Sequence, residues 1–405
     1  MSIHAAAELV AERIRRSEYV EIVAHYDADG IAAGSILAHA IARAGLRFRL
    51  RIRREIAAAD LRNDSAYLLC DLGAGIGDLP RETMVVDHHE ARFTGEYQVN
   101  PELAGIDGDK ELSGAGTAYI VASKLGDNRD LAGLAMLGMI GDRQELSGAN
   151  LEIFNDGVAN GIITVKRGVR LAGRDLPEKL LTAITPVLDG ISGDEAAALA
   201  LAGVKGEDGN PDLRTILSSC VLAAIGSHNA RCVGTLYGDT YGLEREVIGD
   251  AHSFATVIDA CGKTGRGDLG AELCLRSSRD LAAAWDISRK HRLGVIGALH
   301  SVLQQDVPDG IYEVAEPVLS SDVADALSCR STRQAPIAVF TRLGSSCHIS
   351  ARCPEGSTTD LGKVVRTISE DCGGYGGGHR CRAGATIPCD RLDAFRKGWQ
   401  EAVAV

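Results

Sequence analysis

The sequence predicts an α/β protein with a mainly parallel sheet in its first half and a smaller α/β unit at its C-terminal end. The chain has 405 residues, too many for a single hydrophobic core, so more than one domain is expected. Strand and helix signals alternate over residues 1–185, which is typical of parallel sheets. Further strand signals recur from residue 310 onward.

The predicted elements of the first unit alternate along the chain. An amphipathic helix over residues 5–16 precedes a strand over 19–24, and an Ala-rich helix over 30–44 ends at Gly45, a residue type common in helix caps. Strands are also expected over 46–52, 66–70 and 84–86, and a buried helix over 128–141. We assign residues 1–185 to the first domain.

The remainder of the chain predicts a middle module and a second α/β domain. Packed segments are expected over 216–225, 252–261 and 271–275, followed by a helical stretch over 279–304. Strands are then expected over 310–314, 336–341, 346–351 and 383–387, a helix over 361–369, and an ordered glycine-rich loop over 373–379. We assign residues 186–309 to an intermediate module with a linker helix, and 310–405 to a C-terminal domain.

Acids and imidazoles follow the predicted strands. His25, Asp71 and Asp87 each come directly after one, so they should meet where the strands' carboxyl ends form a crevice. Others lie beside them or end the buried helix, namely Asp27, Asp29, His88, His89 and Asp142. An acid at the end of a buried helix needs a partner, either a salt bridge to a neighbour such as Arg143 or a metal. The set suits two divalent cations that hold a water and a phosphate, and favours Mn²⁺ over zinc.

The charge of the chain argues against a protein that coats nucleic acid, because its net charge is −12. A nuclease is still compatible with this charge, because bound cations would locally reverse the negative electrostatic field of several acidic residues. Two basic stretches fit either a solvated face or a track for a phosphate backbone. One is a strand that alternates Arg47, Arg49, Arg51 and Arg53 with apolar residues, and the other contains Lys166, Arg167, Arg170 and Arg174.

The cysteines and the hydropathy predict a cytoplasmic protein without membrane association. The 11 cysteines include no C-x-x-C pair, which favours reduced, mostly buried thiols. No apolar run approaches the roughly 18–20 residues that cross a bilayer.

The motifs resemble those of the DHH phosphoesterase superfamily, in its order: His25-Tyr-Asp-Ala-Asp-Gly30, Asp71-Leu-Gly73, Asp87-His-His89 and Gly141-Asp142. The stretch Gly373-Gly-Tyr-Gly-Gly-Gly-His379 with Ala383-Gly384 is similar to the glycine-rich motif of the DHH-associated C-terminal domain. The first motif opens with His, as in the archaeal RecJ-like branch. The resemblance spans most of the chain and is loosest over residues 190–310.

The resemblance implies a division of roles among these residues. His25 and Asp27 would bind one Mn²⁺, the second ion would be bound by Asp29, His88 and Asp142, and Asp71 would bridge the two; Mg²⁺ is the alternative ion. Asp87 would orient an imidazole, and His89 would face the scissile phosphate. In the C-terminal domain, substrate would be bound by Arg352, Gly376, Gly377, Gly378 and His379.

The leading hypothesis is a Mn²⁺-dependent exonuclease that acts on single-stranded DNA or RNA and releases nucleoside monophosphates. The first alternative is a phosphodiesterase for short oligoribonucleotides, 3′-phosphoadenosine 5′-phosphate or cyclic dinucleotides, which the acidic charge and the 4% aromatic content favour. A second alternative is a non-catalytic replication scaffold, which should have lost metal ligands. A replication partner protein is a further expectation from the resemblance.

Overall fold

The computed structural model describes residues 1–62, 65–207, 209–330, 335–354 and 356–403. The predicted C-terminal domain therefore includes positions outside the described residues, namely 331–334, 355 and 404–405. The strands are β1 Tyr19–His25, β2 Arg47–Arg53, β3 Ala66–Cys70, β4 Met84–Val86, β5 Gln98–Val99, β6 Ile163–Val169, β7 Tyr237–Leu243, β8 Ile311–Glu313, β9 Ile337–Leu343, β10 Ser346–Arg352, β11 Tyr375–Gly378 and β12 Arg382–Pro388.

Helices connect and cover these strands. They are α1 Ile3–Arg15, α2 Ala28–Arg43, α3 Gly114–Leu125, α4 Ala132–Gly141, α5 Gly148–Ala159, α6 Leu176–Leu181, α7 Glu195–Ala202, α8 Leu213–Ile225, α9 Ala230–Gly234, α10 Ala251–Lys263, α11 Gly267–Cys274, α12 Leu281–Val302, α13 Ser320–Ser328, α14 Leu361–Asp371 and α15 Leu392–Val403. No helix in the described ranges is long and apolar enough to cross a membrane.

The first sheet has the strand order β2-β1-β3-β4-β5, and all its pairings are parallel. The predicted parallel sheet is confirmed. Apolar side chains cover both faces, as a buried parallel sheet requires. Helix α2 lies so close to β1 that a Cβ on Gly34 would be 2.6 Å from the Cβ of Ala24. Glycine thus permits this contact.

Strand β2 is an edge of this sheet and alternates as predicted. Phe48, Leu50 and Ile52 pack against the main core, whereas Arg47, Arg49 and Arg53 are exposed. One face of the strand is therefore apolar and the other basic.

The second sheet has the order β11-β12-β10-β9-β8. Its pairings are antiparallel except for the parallel pair β8 and β9. Helices α14 and α15 contribute to its core, in which Phe340, Phe395 and Trp399 are almost fully buried. The predicted smaller C-terminal α/β domain is confirmed.

The chain divides into two compact units. Unit 1 comprises Met1–Arg167 and Asp239–Ser288, and unit 2 comprises Gly168–Gly238 and Arg289–Val405. The boundaries between the two units lie in helix α12 and in strands β6 and β7, which pair with each other. This division differs from the three predicted segments, because residues 239–288 join unit 1 through the packing of α10 and α11 against α2.

The glycine-rich stretch departs from its prediction. Gly376, Gly377 and Gly378 belong to strand β11 and pair with β12, so they do not form the predicted loop. The reason is close packing: a Cβ on Gly376 would be 2.7 Å from the Ser369 hydroxyl, and one on Gly362 would be 2.5 Å from the Gly378 carbonyl oxygen. Glycine is needed here to fit a strand against α14.

A charged network ties α2 to the end of α11. Arg43 and Arg276 both donate hydrogen bonds to the Asp130 carboxylate, at 2.7–2.8 Å. Arg276 also donates to the buried Glu246 at 3.0 Å. Burial alone would raise the pKa of Asp130, but the hydrogen bonds from the two arginines outweigh it and lower the pKa.

The cysteines are free thiols, and most of them are buried. This agrees with the sequence prediction.

Candidate metal centre

Six predicted ligands meet at the carboxyl edge of the first sheet. His25 ends β1, Asp71 follows β3, and His88 lies two residues after β4. The other three come from helix ends: Asp27 caps the N-terminus of α2, Asp29 lies in its first turn, and Asp142 caps the C-terminus of α4. Parallel strands bring their carboxyl ends to one edge, which is why these distant residues converge.

The six residues form two groups whose candidate ligand atoms lie within 4.8 Å of one another in each group. One group is His25, Asp27 and Asp71, and the other is Asp29, His88 and Asp142. The first is partly open, with side-chain exposures of 23% for His25 and 29% for Asp27. His25 and Asp27 thus lie in one group and Asp29, His88 and Asp142 in the other, while Asp71 is grouped with the first pair.

Asp71 belongs to the first group and also faces the second. Its Oδ2 is 3.4 Å from His25 Nδ1, and its Oδ1 is 3.2 Å from His88 Nε2. Its backbone has a φ of 58°, in the left-handed region that non-glycine residues rarely adopt. Such strain concentrates at functional sites. A carboxylate with one oxygen toward each group can bridge two cations.

The surroundings of His88 fit a bound cation. Its Nδ1 lies 2.7 Å from the Gly108 carbonyl oxygen, so in neutral His88 the proton belongs on Nδ1 and the lone pair on Nε2. That Nε2 lies 3.2–3.5 Å from the carboxylates of Asp29, Asp71 and Asp142. A lone pair facing three carboxylates is repulsive, and a divalent cation among them would make the contacts favourable.

Helix α3 fixes the position of Asp29. The backbone N–H groups of Gly114 and Ala115, in its first turn, donate to the two carboxylate oxygens at 2.6 and 2.7 Å. The positive end of the helix dipole also favours this carboxylate. Space around Asp29 is small, because a Cβ on Gly138 would be 1.9 Å from its Oδ1.

The charges of the cluster shift the pKa of its members. Burial, and then the neighbouring Asp71 and Asp142, raise the pKa of Asp29 well above its usual range. Burial disfavours the charged form of His25, but Asp27 and Asp71 outweigh it and raise the pKa of His25. The ionised carboxylates therefore repel one another, and divalent cations bound among them would stabilise their ionised forms.

Asp87 is positioned to hold His89. Its Oδ1 lies 2.7 Å from His89 Nδ1 and also accepts the His88 backbone N–H at 2.8 Å. Its Oδ2 accepts the backbone N–H of Ala74 at 2.8 Å. Burial would raise the pKa of Asp87, but His89 outweighs it and lowers that pKa. His89 itself is half-buried, with 34% of its side chain exposed.

The predicted substrate residues of unit 2 lie around the β10–β12 pair. Arg352 pairs in register with Arg382, and both guanidinium groups donate to the buried Asp325, at 2.6 and 2.9 Å. Arg352 is therefore engaged by protein groups and only 11% exposed. His379 follows β11 and is half-buried. The substrate-binding role of these residues stays a prediction.

Two partners that hold the cluster were not among the residues predicted from the sequence. One is helix α3, although Ser113 before a small-residue run is a typical N-cap signal. The other is Gln144, which donates to the Gly108 carbonyl oxygen at 2.8 Å beside His88. No local signal identifies that contact.

Comparison with known proteins identifies the class of fold. Residues 309–404 match the family model of the DHHA1 domain. Over the whole chain, the structure is similar to structures of RecJ solved with manganese. The chain therefore has a RecJ-like DHH fold followed by a DHHA1 domain, which confirms the resemblance drawn from the sequence.

The relatives are distant. An uncharacterized protein of Methanocaldococcus jannaschii is 23% identical over 412 residues, covering 95% of this chain and 93% of that protein. RecJ of Thermus thermophilus with Mn²⁺ has a TM-score of 0.61 at 20% identity; the match covers 99% of this chain and 54% of that one, so this chain spans about half its length. CDC45 from Entamoeba histolytica has a TM-score of 0.63 at 12% identity, with 100% of both chains covered. At these identities the similarity establishes the fold.

Proposed function

We propose that this protein is a Mn²⁺-dependent, single-strand-specific exonuclease that releases nucleoside monophosphates. The observation that carries the proposal is the position of Asp71, with one carboxylate oxygen toward each of two His/Asp groups. Carboxylates mixed with imidazoles suit Mn²⁺ or Mg²⁺, and RecJ of Thermus thermophilus has been solved with each of these ions.

The residues would divide the chemistry as follows. His25, Asp27 and Asp71 would hold one ion, and Asp29, Asp71, His88 and Asp142 the other. Two such ions supply positive charge for a phosphoryl group and lower the pKa of water that attacks it. His89, held by Asp87 and partly exposed, would donate a hydrogen bond to a phosphoryl oxygen and stabilise the charge that develops there.

A second candidate is a phosphodiesterase for short oligonucleotides or other small substrates. The net charge of −12 and the 4% aromatic content favour it, because long single strands are usually held by basic grooves and stacking platforms. The replication scaffold is disfavoured because each predicted metal ligand is present in the cluster. Binding of a replication protein stays a prediction, since the similarity to CDC45 concerns the fold.

Digestion of end-labelled single-stranded DNA and RNA, from dinucleotides to 20-mers, tests the proposal in Mn²⁺. Activity that persists on long strands supports the exonuclease, and activity confined to dimers and trimers supports the second candidate. Asp71→Ala should abolish hydrolysis while unit 1 stays folded, because neither ion would keep its shared ligand. Near-normal turnover of that variant, with folding checked by circular dichroism, would refute the two-ion assignment.

A further inference from the structure

We propose that the basic face of β2 binds the phosphate backbone of a single-stranded nucleic acid and leads its end to the candidate metal centre. This inference rests on the proposed function and specifies its substrate as a polymer. The surface, called here the arginine row, consists of the exposed Arg47, Arg49 and Arg53 on β2.

The register of the sheet connects the arginine row to the metal centre. Strands β1 and β2 run parallel, with Tyr19 opposite Arg47 and His25 opposite Arg53. Residues opposite each other in register share a face of the sheet. The row therefore begins beside the exposed Tyr19 and ends beside His25, a predicted metal ligand.

The charges of the row are available to a ligand. Among the described residues, no ion pair involves Arg47, Arg49 or Arg53. The fourth arginine of the strand, Arg51, differs because it pairs with Glu21 at 3.2 Å. The other basic stretch of the chain is less available, because Arg167 and Arg174 form ion pairs with acidic residues.

The length of the row favours a polymer over a small substrate. Alternate residues of a strand are about 6.6 Å apart, so Arg47 and Arg53 are about 20 Å apart along β2. A ligand with one or two phosphates cannot contact both ends of such a row. A single strand carries regularly repeated phosphates and can contact all three arginines.

A stacking surface lies at the end of the row. The Arg54 guanidinium group covers the Tyr26 ring at 4.6 Å from its centroid. Tyr26 lies in sequence between His25 and Asp27 and is half-buried. Arginine planes and aromatic rings are the groups on which unpaired bases stack. Phosphate contacts along β2 and a stacking surface next to the predicted ligands are together what a single-strand track requires.

The test compares two variants of the full chain with the same loss of charge. Arg47→Gln/Arg49→Gln/Arg53→Gln removes the row, and the control removes three exposed, ion-paired arginines elsewhere in unit 1, Arg16, Arg81 and Arg129. Binding of a fluorescent single-stranded 20-mer is measured by anisotropy in EDTA at increasing salt. EDTA removes the divalent cations that the proposed hydrolysis needs, and gel analysis of the 20-mer after each titration checks that it is intact, so the measurement reports binding alone.

The row variant should reduce the slope of log affinity against log salt by about 2, because each phosphate contact on a single strand contributes about 0.7. From 50 to 200 mM salt, wild type should then lose about 20-fold more affinity than the row variant. The control should keep the wild-type slope. If the triple variant fails to fold, Arg47→Gln/Arg49→Gln should reduce the slope by about 1.4.

Equal slopes in the row variant and the control would overturn the inference. The arginines would then serve to keep the edge strand β2 from pairing with another sheet. Absence of binding by wild type would also overturn it. The proposed function fails separately, if wild type with Mn²⁺ hydrolyses no oligonucleotide of any length. With activity present, the ratio of 20-mer to dinucleotide hydrolysis should fall in the row variant.

Discussion

Replacing Gly138 by Ala should disturb the candidate metal centre, although helix α4 contributes to it only through its C-terminal capping residue, Asp142. A Cβ at this position would be 1.9 Å from Asp29 Oδ1 and 2.7 Å from the Cβ of Ala115. To restore a separation of 3.0 Å, Asp29 would have to move by about 1 Å. Asp29 cannot move freely, because the α3 backbone holds both its oxygens.

The expected cost follows from opposing effects. Alanine in a helix interior is more favourable than glycine by about 1 kcal/mol. Overpacking costs about 1–3 kcal/mol, and the loss of a hydrogen bond to a charged group costs about 1.5–3 kcal/mol. We expect Gly138→Ala to destabilise unit 1 by about 2–4 kcal/mol and to lower activity about 100-fold, since a misplacement of about 1 Å has that effect on catalysis.

Gly133 on the same helix provides the matched control. A Cβ there would have its nearest neighbours at 3.6 Å, an ordinary contact. Gly133→Ala should therefore retain Mn²⁺ binding and lose no stability. Urea unfolding in EDTA and titration calorimetry with Mn²⁺ measure both effects. A Gly138→Ala protein with the stability and Mn²⁺ affinity of the Gly133→Ala protein would refute the reasoning.

Three further predictions concern charge and metal. Asp130→Asn should destabilise the protein by about 1–2 kcal/mol at pH 7. Because the folded state lowers the pKa of Asp130, this difference in stability should be present above about pH 4 and shrink as the pH falls further. Equal urea midpoints of the two proteins at pH 7 would contradict this prediction. Asp87→Asn should lower hydrolysis about 10–100-fold by releasing His89, with an unchanged kcat as the contrary result. In thermal unfolding, Mn²⁺ at 100 times its Kd should stabilise wild type by about 2.7 kcal/mol for each occupied site. The same Mn²⁺ concentration should stabilise Asp71→Ala less. An equal gain in stability in both proteins would argue against a ligand role for Asp71.

Local pattern was sufficient for most of the first sheet. The strand predicted over 66–70 and the strand predicted over 84–86 have those bounds in the structure. The alternation of arginines and apolar residues on β2 was also readable, because side chains of a strand alternate between its two faces. The prediction that His25, Asp71 and Asp87 lie together followed from one rule of parallel sheets, that strand ends share an edge.

The glycine-rich stretch shows where local pattern failed. Loop and strand are both compatible with a run of glycines, because glycine has few backbone restrictions of its own. The strand packs closely against α14, where a Cβ on Gly376 would meet the Ser369 hydroxyl and one on Gly362 would meet the Gly378 carbonyl oxygen. Residues 239–288 are a similar case, since α10 and α11 join unit 1 by packing on α2.

The sequence by itself determined which residues end the strands, and therefore which acids and imidazoles gather at one edge of the sheet. Only the tertiary structure decided how two of them are held: Asp29 by the first turn of α3, and His88 by the Gly108 carbonyl oxygen. The physical reason is the range of the interactions. Strand ends follow from the periodicity of neighbouring residues, whereas the contacts of Asp29 and His88 join segments 20 to 86 positions apart and depend on how whole elements pack.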